Sequence, residues 1–567
     1  MRSISQTAAI LLVFGGTACQ PSVSGVSPAR TSSDITTGDA RSRIFLVADD
    51  SMQGRRAGMI GNFKMTSYIG REVSRVGLEA GGENGTFFQV VPMVGRSVDS
   101  AATTMSIAGR ALTLFSDFAL LRPNTTQRYG TSLPARTYET VYGGRAGDST
   151  AGLPTAAVTG RIVVLDAPLD STGRPTGVLT TPGAISVSRF PTAAGIAIAA
   201  LDFASPLASA GLRVRSTAVA ERAGAAARPM AFIVTSEVAR EIFGAPLSGM
   251  SAGTKGKPVA ASARFIDEPV AAEARNVVAI LRGSDPSLRG QYVAIGAHSD
   301  HVGFNNRPVD HDSLRSYYRV MRPEGAQTRG AQPGAPTAAQ WARIRASLDS
   351  LRRLRPPRLD SISNGADDDG SGSVALLEIA ESLANGTRPR RSIIFVWHTA
   401  EEGGLLGSAY FTDYPTVPRD SIVAQFNMDM VGRGSAADIE GGGPNYLQII
   451  GSRRLSTALG DVVDSVNATR SEKFDIDYSW DAPGHPMSRY CRSDHYMYAR
   501  KGIPIAFISR GYHSEYHVVT DEPQYINYEG LAKVARFVRD VAVAVANRND
   551  RVAVDKVVSN PLLPCRH

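Results

Sequence analysis

Two adjacent glutamates, Glu401 and Glu402, follow the apolar run Ile393–Trp397 and precede two glycines. The run is rich in β-branched and aromatic residues, which is typical of a buried strand. Two carboxylates at the end of a buried strand repel each other unless a positive group lies beside them. A metal ion would be such a group, with one glutamate as its ligand and the other holding or deprotonating a water molecule. A surface turn that carries two solvated glutamates is the structural alternative.

Two further groups of metal-binding residue types come earlier in the chain. The predicted strand Tyr292–Ala297 delivers His298, with Asp300 two residues later. A lone histidine there would more often be structural, but a carboxylate commonly receives the second N–H of a metal-bound imidazole. Three consecutive aspartates, residues 367–369, lie in a Gly-rich turn before an amphipathic helix from Ser373. A shared dication would explain them, whereas a solvated turn at a helix N-terminus requires none.

Two later strands end in the same residue types. The run Val423–Met428 leads directly to Asp429, and Ile503–Ser509 is followed by His513 and His517. Strands alternate with helical segments, which indicates an α/β fold with a mixed, largely parallel sheet flanked by helices. Ligands of such folds bind at the carboxyl ends of the strands. We therefore expect these histidines and carboxylates to converge at one edge of the sheet.

The composition is that of a soluble globular protein, with 43% hydrophobic and 20% charged residues. A length of 567 residues is too great for one core and predicts two or more domains. The chain has 61 basic and 53 acidic residues, a formal charge of +8. Most of the basic residues are arginines scattered among aspartates, so we expect a general surface property and no nucleic-acid partner.

The N-terminus has the pattern of an export signal. Arg2 precedes the apolar run Ala8–Phe14, which is too short to span a bilayer, and small residues then lead to Cys19. We predict a signal peptide at residues 1–19. Its end resembles a bacterial lipoprotein cleavage site, so a lipid on Cys19 would anchor the protein to a membrane. Residues 20–40, rich in Ser, Thr, Gly and Pro, are predicted to be a flexible tether.

Export would place the protein in the periplasm or cell envelope, as an outer-membrane lipoprotein for example, or outside the cell. Cys491 and Cys565 could pair in such an oxidising compartment, although two isolated positions do not require it. The sequence contains no CxxC motif, which excludes a cysteine-based zinc or redox site of that type.

A change of character marks an insertion. Residues 129–263 contain short apolar runs between Gly, Pro and Ser turns, which predicts a small β-rich module. It would interrupt a larger domain made of residues 41–128 and 264–550, and residues 551–567 would form a C-terminal tail.

Six motifs, in this order, resemble those of peptidase family M28, which are zinc-dependent exopeptidases: AHSDHVG, NGADDDGSG, HTAEEGGLLGS, NMDMVG, RSDHYMYARKGIP and YHSEYHVVTD. The resemblance covers most of Ile44–Asn547 and makes 41–128 with 264–550 a zinc peptidase domain. The stretch VADDSMQGR is similar to the entrance of that domain. Residues 129–263 resemble the protease-associated domain that many members contain, chiefly through GRIVVLD and AAGIAIAALD.

Carried onto this sequence, the resemblance implies two zinc ions. Asp368 would bridge them, His298 and Asp429 would complete the ligands of one, and Glu402 and His517 those of the other. Such a set of nitrogen and oxygen donors suits zinc, and on ligand type alone also manganese or cobalt.

The resemblance also implies roles for three neighbouring residues. Asp300 would orient His298, Glu401 would be the general base, and the hydroxyl of Tyr516 would stabilise the oxyanion. Relatives hold the bridging aspartate next to a cis peptide bond, so one is expected between Asp368 and Asp369.

The resulting hypothesis is an exported di-zinc aminopeptidase that removes N-terminal residues from peptide substrates. A carboxypeptidase or dipeptidase of the same family is the alternative. Relatives that cleave acidic C-terminal residues have arginine-rich specificity pockets, and Arg489, Arg492 and Arg510 lie near the motifs. Glutaminyl cyclases share the fold but lack the complete two-metal set. A non-catalytic binding protein at the cell surface would have no need of Glu401. The sequence does not determine an oligomeric state.

Overall fold

The structure is a computed structural model of the chain. It describes residues 31–123, 129–148, 152–170, 172–177, 189–222, 226–323, 325–326, 334–482 and 484–556. The predicted signal peptide with Cys19, the first part of the predicted tether and Cys565 lie outside the described residues. Within these ranges no helix is both long and apolar enough to cross a bilayer.

The α-helices of the described residues are, in chain order, α1 (Thr37–Val47), α2 (Ile60–Arg75), α3 (Thr155–Val158), α4 (Pro206–Gly211), α5 (Ser236–Phe243), α6 (His311–Met321), α7 (Ala338–Arg352), α8 (Gly370–Asn385), α9 (Leu406–Asp413), α10 (Thr457–Thr469), α11 (His495–Ala499) and α12 (Tyr528–Ala546).

The strands are, in chain order, β1 (Glu79–Ala80), β2 (Phe88–Val91), β3 (Met93–Val98), β4 (Thr104–Ile107), β5 (Arg110–Ala111), β6 (Phe118–Leu120), β7 (Ser132–Arg145), β8 (Ile162–Asp166), β9 (Gly195–Ala199), β10 (Ser216–Val219), β11 (Met230–Val234), β12 (Lys255–Pro269), β13 (Ala274–Leu281), β14 (Tyr292–His298), β15 (Gly303–Asp310), β16 (Leu359–Ser363), β17 (Ser392–His398), β18 (Ile422–Met428), β19 (Tyr446–Ile450), β20 (Asp475–Asp477) and β21 (Ile505–Ser509).

The main sheet has the strand order β1-β13-β17-β14-β18-β21-β19-β20, with β2 also paired to β13. Its centre, β17-β14-β18-β21, is parallel. Strands β13 and β19 join this centre in antiparallel orientation. The predicted fold class, a mixed and largely parallel sheet in an α/β protein, is confirmed.

Helices cover both faces of the main sheet. In β17, Ile393, Phe395 and Trp397 face one apolar core, which α1, α2, α8 and α12 complete. Ile394 and Val396 face the opposite core, which includes side chains of α9 and α11. Because both faces of this strand are buried, its sequence is continuously apolar, as expected for a central parallel strand.

A second sheet, β10-β3-β12-β7-β8-β9-β11-β6, forms a β-rich lobe with its own cores. Strands β3 and β12 pair antiparallel, with Val98 opposite Phe265 and Val94 opposite Pro269, so the lobe begins and ends on adjacent strands. We call Met93–Pro269 the inserted lobe. It begins before the predicted boundary at residue 129, because the short strands β3, β4 and β6 pair with β12 or β11, which lie far along the chain. Its identity as a protease-associated domain stays a prediction.

The inserted lobe meets the main domain at a small apolar junction cluster, which comprises Ala57, Val91, Met93, Ala274, Ala400, Leu406 and Tyr410, with Val219 and Val270 packed against it. Met93 and Val219 come from the lobe, whereas Ala400 directly precedes the two glutamates that follow β17. The attachment of the lobe therefore lies against the loop that carries Glu401 and Glu402.

Helix α1 begins inside the segment predicted to be a tether. The Thr36 side chain accepts the N–H of Asp39 and caps the helix, and Ile44 is fully buried. The tether prediction for residues 37–40 is therefore wrong, since composition alone does not reveal a cap followed by buried apolar positions. At the other end, Val552 is buried within the predicted tail.

In the described parts of residues 303–363, helices α6 and α7 lie along the chain between the paired strands β15 and β16. Cys491 is disulfide-bonded. Both other cysteines lie outside the described residues, so its pairing with Cys565 stays a prediction.

Candidate metal centre

The carboxyl ends of the central strands converge at one edge of the main sheet. β14 ends in His298, and β18 leads directly into Asp429. The loop after β17 carries Glu402, and the loop after β21 carries His517. Asp368 comes from the turn that precedes α8. The structure therefore brings together all five predicted ligands.

His298, Asp368 and Asp429 form the first group. The Nε2 atom of His298 lies 3.3 Å from Oδ1 of Asp368 and 3.7 Å from Oδ1 of Asp429. Ser493, in the predicted RSDH motif, donates a hydrogen bond of 2.8 Å to the other oxygen of Asp429. That bond leaves Oδ1 of Asp429 directed at the group.

The second group shares Asp368. Its Oδ2 atom lies 3.1 Å from Nε2 of His517, which is 2.9 Å from Oε2 of Glu402. Each oxygen of Asp368 therefore faces a different group. This is the arrangement that a bridging carboxylate requires.

The donors fit a pair of zinc ions. Nε2 of His298 and Oδ2 of Asp368 are buried and have no hydrogen-bond partner among the described residues. A cation in the first group would satisfy the His298 atom, and a cation in the second group would satisfy Oδ2 of Asp368. Donors of a tetrahedral zinc ion lie about 3.3 Å apart, and the separations in both groups are close to that value. The donors are nitrogen and oxygen only, which suits zinc.

The histidines and carboxylates of the two groups shift each other's pKa values towards the charged forms. Burial acts against the charge of His517, but the adjacent carboxylates of Asp368 and Glu402 raise its pKa to about 10. Burial also acts to raise the pKa of Asp368, yet contact with His298 and His517 lowers it well below its usual range. The carboxylates thus carry negative charge that a cation, or protons on the histidines, must balance.

Glu401 lies beside the first group and is not part of it. Its Oε2 atom is 4.0 Å from Nε2 of His298. Burial raises the pKa of Glu401 well above its usual range, and the carboxylates of Glu402, Asp429 and Asp494 add to the effect. A carboxylate placed beside the first group, but outside it, is free to accept a proton from a group bound there, which the predicted base requires.

Asp300 faces His298 through two oxygens. Nδ1 of His298 lies 3.2 Å from the Asp300 carbonyl oxygen and 3.7 Å from Oδ1 of its carboxylate. The nearer partner is therefore the backbone carbonyl, whereas the sequence pattern predicted the carboxylate. The carboxylate accepts the backbone N–H of Glu401 at 3.0 Å.

Tyr516 lies between two rings, stacked on Tyr512 with centroids 4.9 Å apart and on His517 at 3.8 Å. Burial raises its pKa well above the usual range, and Asp368, Tyr512 and Glu402 raise it further. The hydroxyl therefore stays protonated and can donate a hydrogen bond, as the predicted oxyanion role requires.

The turn that carries Asp368 is held by residues that the sequence analysis did not single out. Arg55, in the VADDSMQGR stretch, donates hydrogen bonds to the carbonyls of Asn364 at 2.5 Å and Gly365 at 2.8 Å. Asp521 accepts the backbone N–H groups of Asp367 and Asp368, each at 3.0 Å. The peptide bond between Asp368 and Asp369 is cis, as expected. Arg55 thus holds carbonyl groups of this turn, and Asp521 holds its amide groups.

Asp369 ties the same turn to two strands. Its carboxylate accepts the N–H groups of His298 at 3.0 Å and Met430 at 3.3 Å, and it caps α8 through Gly372. Arg55, Asp369 and Asp521 all lie in stretches of sequence that resemble family M28, so the sequence did mark these positions. What they bind is backbone, however, and the fold alone brings that backbone within reach.

Comparison with known proteins agrees with the site. Residues 276–542 match the profile of peptidase family M28. Leucine aminopeptidase 1 of Sclerotinia sclerotiorum is 30% identical over 203 residues, which are 34% of this chain and 49% of that protein. Leucine aminopeptidase 1 of Fusarium vanettenii is 32% identical over 204 residues, 34% and 48% of the two chains. The chain spans about half the length of the curated relatives it matches.

Solved structures also align with most of the chain. An aminopeptidase from Aneurinibacillus sp. strain AM-1 aligns with 92% of this chain and 97% of its own, at 15% identity and a TM-score of 0.42. BSAP, a zinc aminopeptidase from Bacillus subtilis, aligns with 93% and 99% of the two chains, at 16% identity and a TM-score of 0.41.

Proposed function

We propose that the chain is a di-zinc exopeptidase, and that it acts as an aminopeptidase on peptide substrates. The observation that carries the proposal is the position of Asp368, which presents one oxygen to each of two donor groups. The match of residues 276–542 to the family M28 profile supports the peptidase class, and the names of the relatives support the aminopeptidase direction.

The residues of each group would hold one zinc ion, with Asp368 between them. Zinc at this centre would supply Lewis-acid activation of a water molecule and of the scissile carbonyl. The side chains around it are placed to handle the proton and the developing charge.

Glu401 is the proton carrier in this proposal. It takes a proton from the attacking water and passes it to the amine that leaves. Its position beside the first group suits both steps, because the carboxyl must hold the proton between them. The protonated hydroxyl of Tyr516 donates a hydrogen bond to the oxygen on which negative charge develops.

A second candidate, a carboxypeptidase or dipeptidase, is favoured by Arg492. Burial acts to lower the pKa of this guanidinium, but Tyr512, Tyr516, Glu401 and Asp429 raise it above its usual value, so it is charged beside the site. It lies 5.4 Å from the centre of the Tyr512 ring. A charged arginine next to the proposed base could bind the free C-terminal carboxylate of a short peptide.

A substrate panel tests both candidates. Purified protein is incubated with peptides that have a free or acetylated N-terminus, crossed with a free or amidated C-terminus, and products are identified by mass spectrometry. An aminopeptidase cleaves only peptides with a free N-terminus, releases the first residue, and loses activity to a chelator. Cleavage of acetylated peptides from the C-terminal end would favour the second candidate. If none of the peptides is cleaved, both candidate functions are contradicted.

We also propose that the protein is exported, because residues 1–19 have the pattern of a signal peptide. Mass spectrometry of the mature N-terminus tests it, because cleavage before Cys19 with an added lipid, cleavage without lipid, and an intact Met1 give different masses.

A further inference from the structure

His301 lies in the turn after β14, three residues beyond His298, and the proposed function assigns it no role. Its side chain is fully buried. Nδ1 of His301 lies 2.9 Å from Oε1 of Glu402 and 3.7 Å from Oδ2 of Asp368. These are the two carboxylates that also face His517.

The two histidines flank the same carboxylates from different directions. His517 approaches Oε2 of Glu402 at 2.9 Å, whereas His301 approaches Oε1 of that carboxylate at the same distance. The imidazole rings meet edge to face, with centroids 5.7 Å apart. His301, Asp368 and Glu402 each offer one ligand atom, all within 4.8 Å of one another.

These separations match those of one coordination shell. Donors of a tetrahedral zinc ion are about 3.3 Å apart, and those between His301 and the carboxylates are 2.9 Å and 3.7 Å. The 2.9 Å contact is also a hydrogen-bond distance, which the tautomer with a proton on Nδ1 can use; a neutral imidazole whose Nδ1 lone pair faced the two carboxylates would be repelled by both. A cation at their common focus removes that repulsion.

We propose that His301 is a further protein ligand of the second zinc ion, beside Asp368 and Glu402. With His517, whose Nε2 faces the same two carboxylates, that ion would have four donors. This inference rests on the proposed function, since it concerns one of the two ions of that site. The first group has three donors among the described residues, namely His298, Asp368 and Asp429.

The two positions would therefore differ in character. Zinc sites filled by four protein ligands are typical of structural ions, whereas three ligands leave a coordination position for water or substrate. We expect the ion held by His301 to be the tighter and more slowly exchanging one. The ion beside His298 and Glu401 is expected to exchange first.

A simpler role for His301 would be to donate an Nδ1 hydrogen bond to Glu402 and orient it. The variant His301→Asn distinguishes the two roles, because its side-chain amide N–H lies near the position of Nδ1 and can still donate. It is a poor zinc ligand. His301→Ser can perform neither role at that distance. His485→Asn, at a partly exposed histidine that packs on Trp480, is the matched control.

The experiment measures metal binding on the full purified chain. Apo-protein is prepared with a chelator and titrated with zinc against a chromophoric competitor, which gives the number of ions and the affinity of each. Zinc X-ray absorption of the loaded, unmutated protein counts the imidazoles per ion and needs no variant.

We expect two ions in the unmutated protein, with His298, His301 and His517 all contributing to the imidazole count. In both His301 variants the tighter affinity should fall by more than about 100-fold. Loss of a partner outside the coordination shell typically costs only about 10–100-fold. The imidazole count should fall by about a third, and the His485→Asn control should match the unmutated protein.

Two results would overturn the inference while the proposed function stands. One is an unmutated protein with two ions but only two histidines among their ligands. The other is a His301→Asn variant that keeps the tighter affinity within about tenfold while His301→Ser loses it, which would assign the hydrogen-bonding role. Failure of the unmutated protein to bind two zinc ions would instead contradict the proposed function itself.

Discussion

The backbone N–H of Glu401 donates a hydrogen bond of 3.0 Å to the carboxylate of Asp300. Asp300 is at the same time the nearest neighbour of Nδ1 of His298. One residue of the β14 turn therefore positions both the first histidine and the main chain of the proposed base. Glu401 and His298 lie on neighbouring strand ends, and Asp300 fixes the distance between them.

The two glutamates after β17 should fail differently when each is replaced by glutamine. Glu402→Gln removes a charged ligand, so zinc content should fall, and excess zinc should restore part of the activity. Glu401→Gln should keep its metal and lose the proton carrier, which lowers turnover by about 10²–10⁴-fold. Elemental analysis beside turnover measurements makes the comparison. Zinc loss in Glu401→Gln with full loading in Glu402→Gln would reverse the two roles.

Asp521 should act on metal affinity through the turn that it holds. Asp521→Asn replaces an acceptor of two backbone N–H groups by an amide that can accept through its oxygen alone. Asp368 should become less well positioned, and zinc affinity should fall by about 10–100-fold, as for other residues outside the coordination shell. Competition titration with a chelator measures it.

The matched control for Asp521 is Asp461→Asn. Asp461 is mostly exposed and pairs with Arg453 at the surface. Surface ion pairs contribute little, so this variant should leave zinc affinity unchanged. Equal affinities for both variants and the unmutated protein would show that Asp521 does not position Asp368.

Arg492 should discriminate between peptide termini if it binds a substrate carboxylate. Arg492→Gln removes the charge, so KM for peptides with a free C-terminus should rise about 10-fold or more, while KM for the matching amides stays constant. Steady-state kinetics on paired free and amidated dipeptides provide the readout. A similar change for both forms would indicate a general effect on the site, with no part in carboxylate binding.

Asp438 should make stability depend on pH in the acid range. Burial opposes its charge, but Arg433 and Ser435 lower its pKa from 3.8 to about 2. Because the folded state lowers the pKa, the stabilisation is present above pH 3.8 and is lost as the pH falls towards 2. Asp438→Asn should therefore cost about 2 kcal/mol at pH 7.

Denaturant unfolding at several pH values tests the Asp438 prediction. The difference in unfolding free energy between the variant and the unmutated protein should be constant from pH 7 to pH 5 and shrink below pH 4. A difference that grows on acidification would contradict the assigned sign.

The sequence predicts the centre of the fold well because the central strands are continuously apolar. The predicted strand Ile393–Trp397 differs from β17 by one residue at each end. The five ligand positions came from motifs whose spacing is local. All five meet at one sheet edge, where parallel strands end.

What the sequence could not predict depends on distant partners. β3 belongs to the inserted lobe because it pairs with β12. No pattern in the sequence of β3 indicates this partner. Arg55 and Asp521 act on backbone groups, which have no sequence signature. His301 was visible in the motif AHSDHVG, but only the fold shows that its ring faces the carboxylates of Asp368 and Glu402.

The junction cluster limits how freely the inserted lobe can be exchanged in protein engineering. Met93 of the lobe packs in the same cluster as Ala400, which directly precedes the proposed base Glu401. Leu406 and Tyr410, which follow Glu401 in the chain, belong to this cluster too. Excising the lobe would leave these apolar side chains facing water and would remove the support of the loop they belong to. A graft from another protein must therefore supply a matching apolar patch at Met93 and Val219, and joining the chain ends correctly is not sufficient.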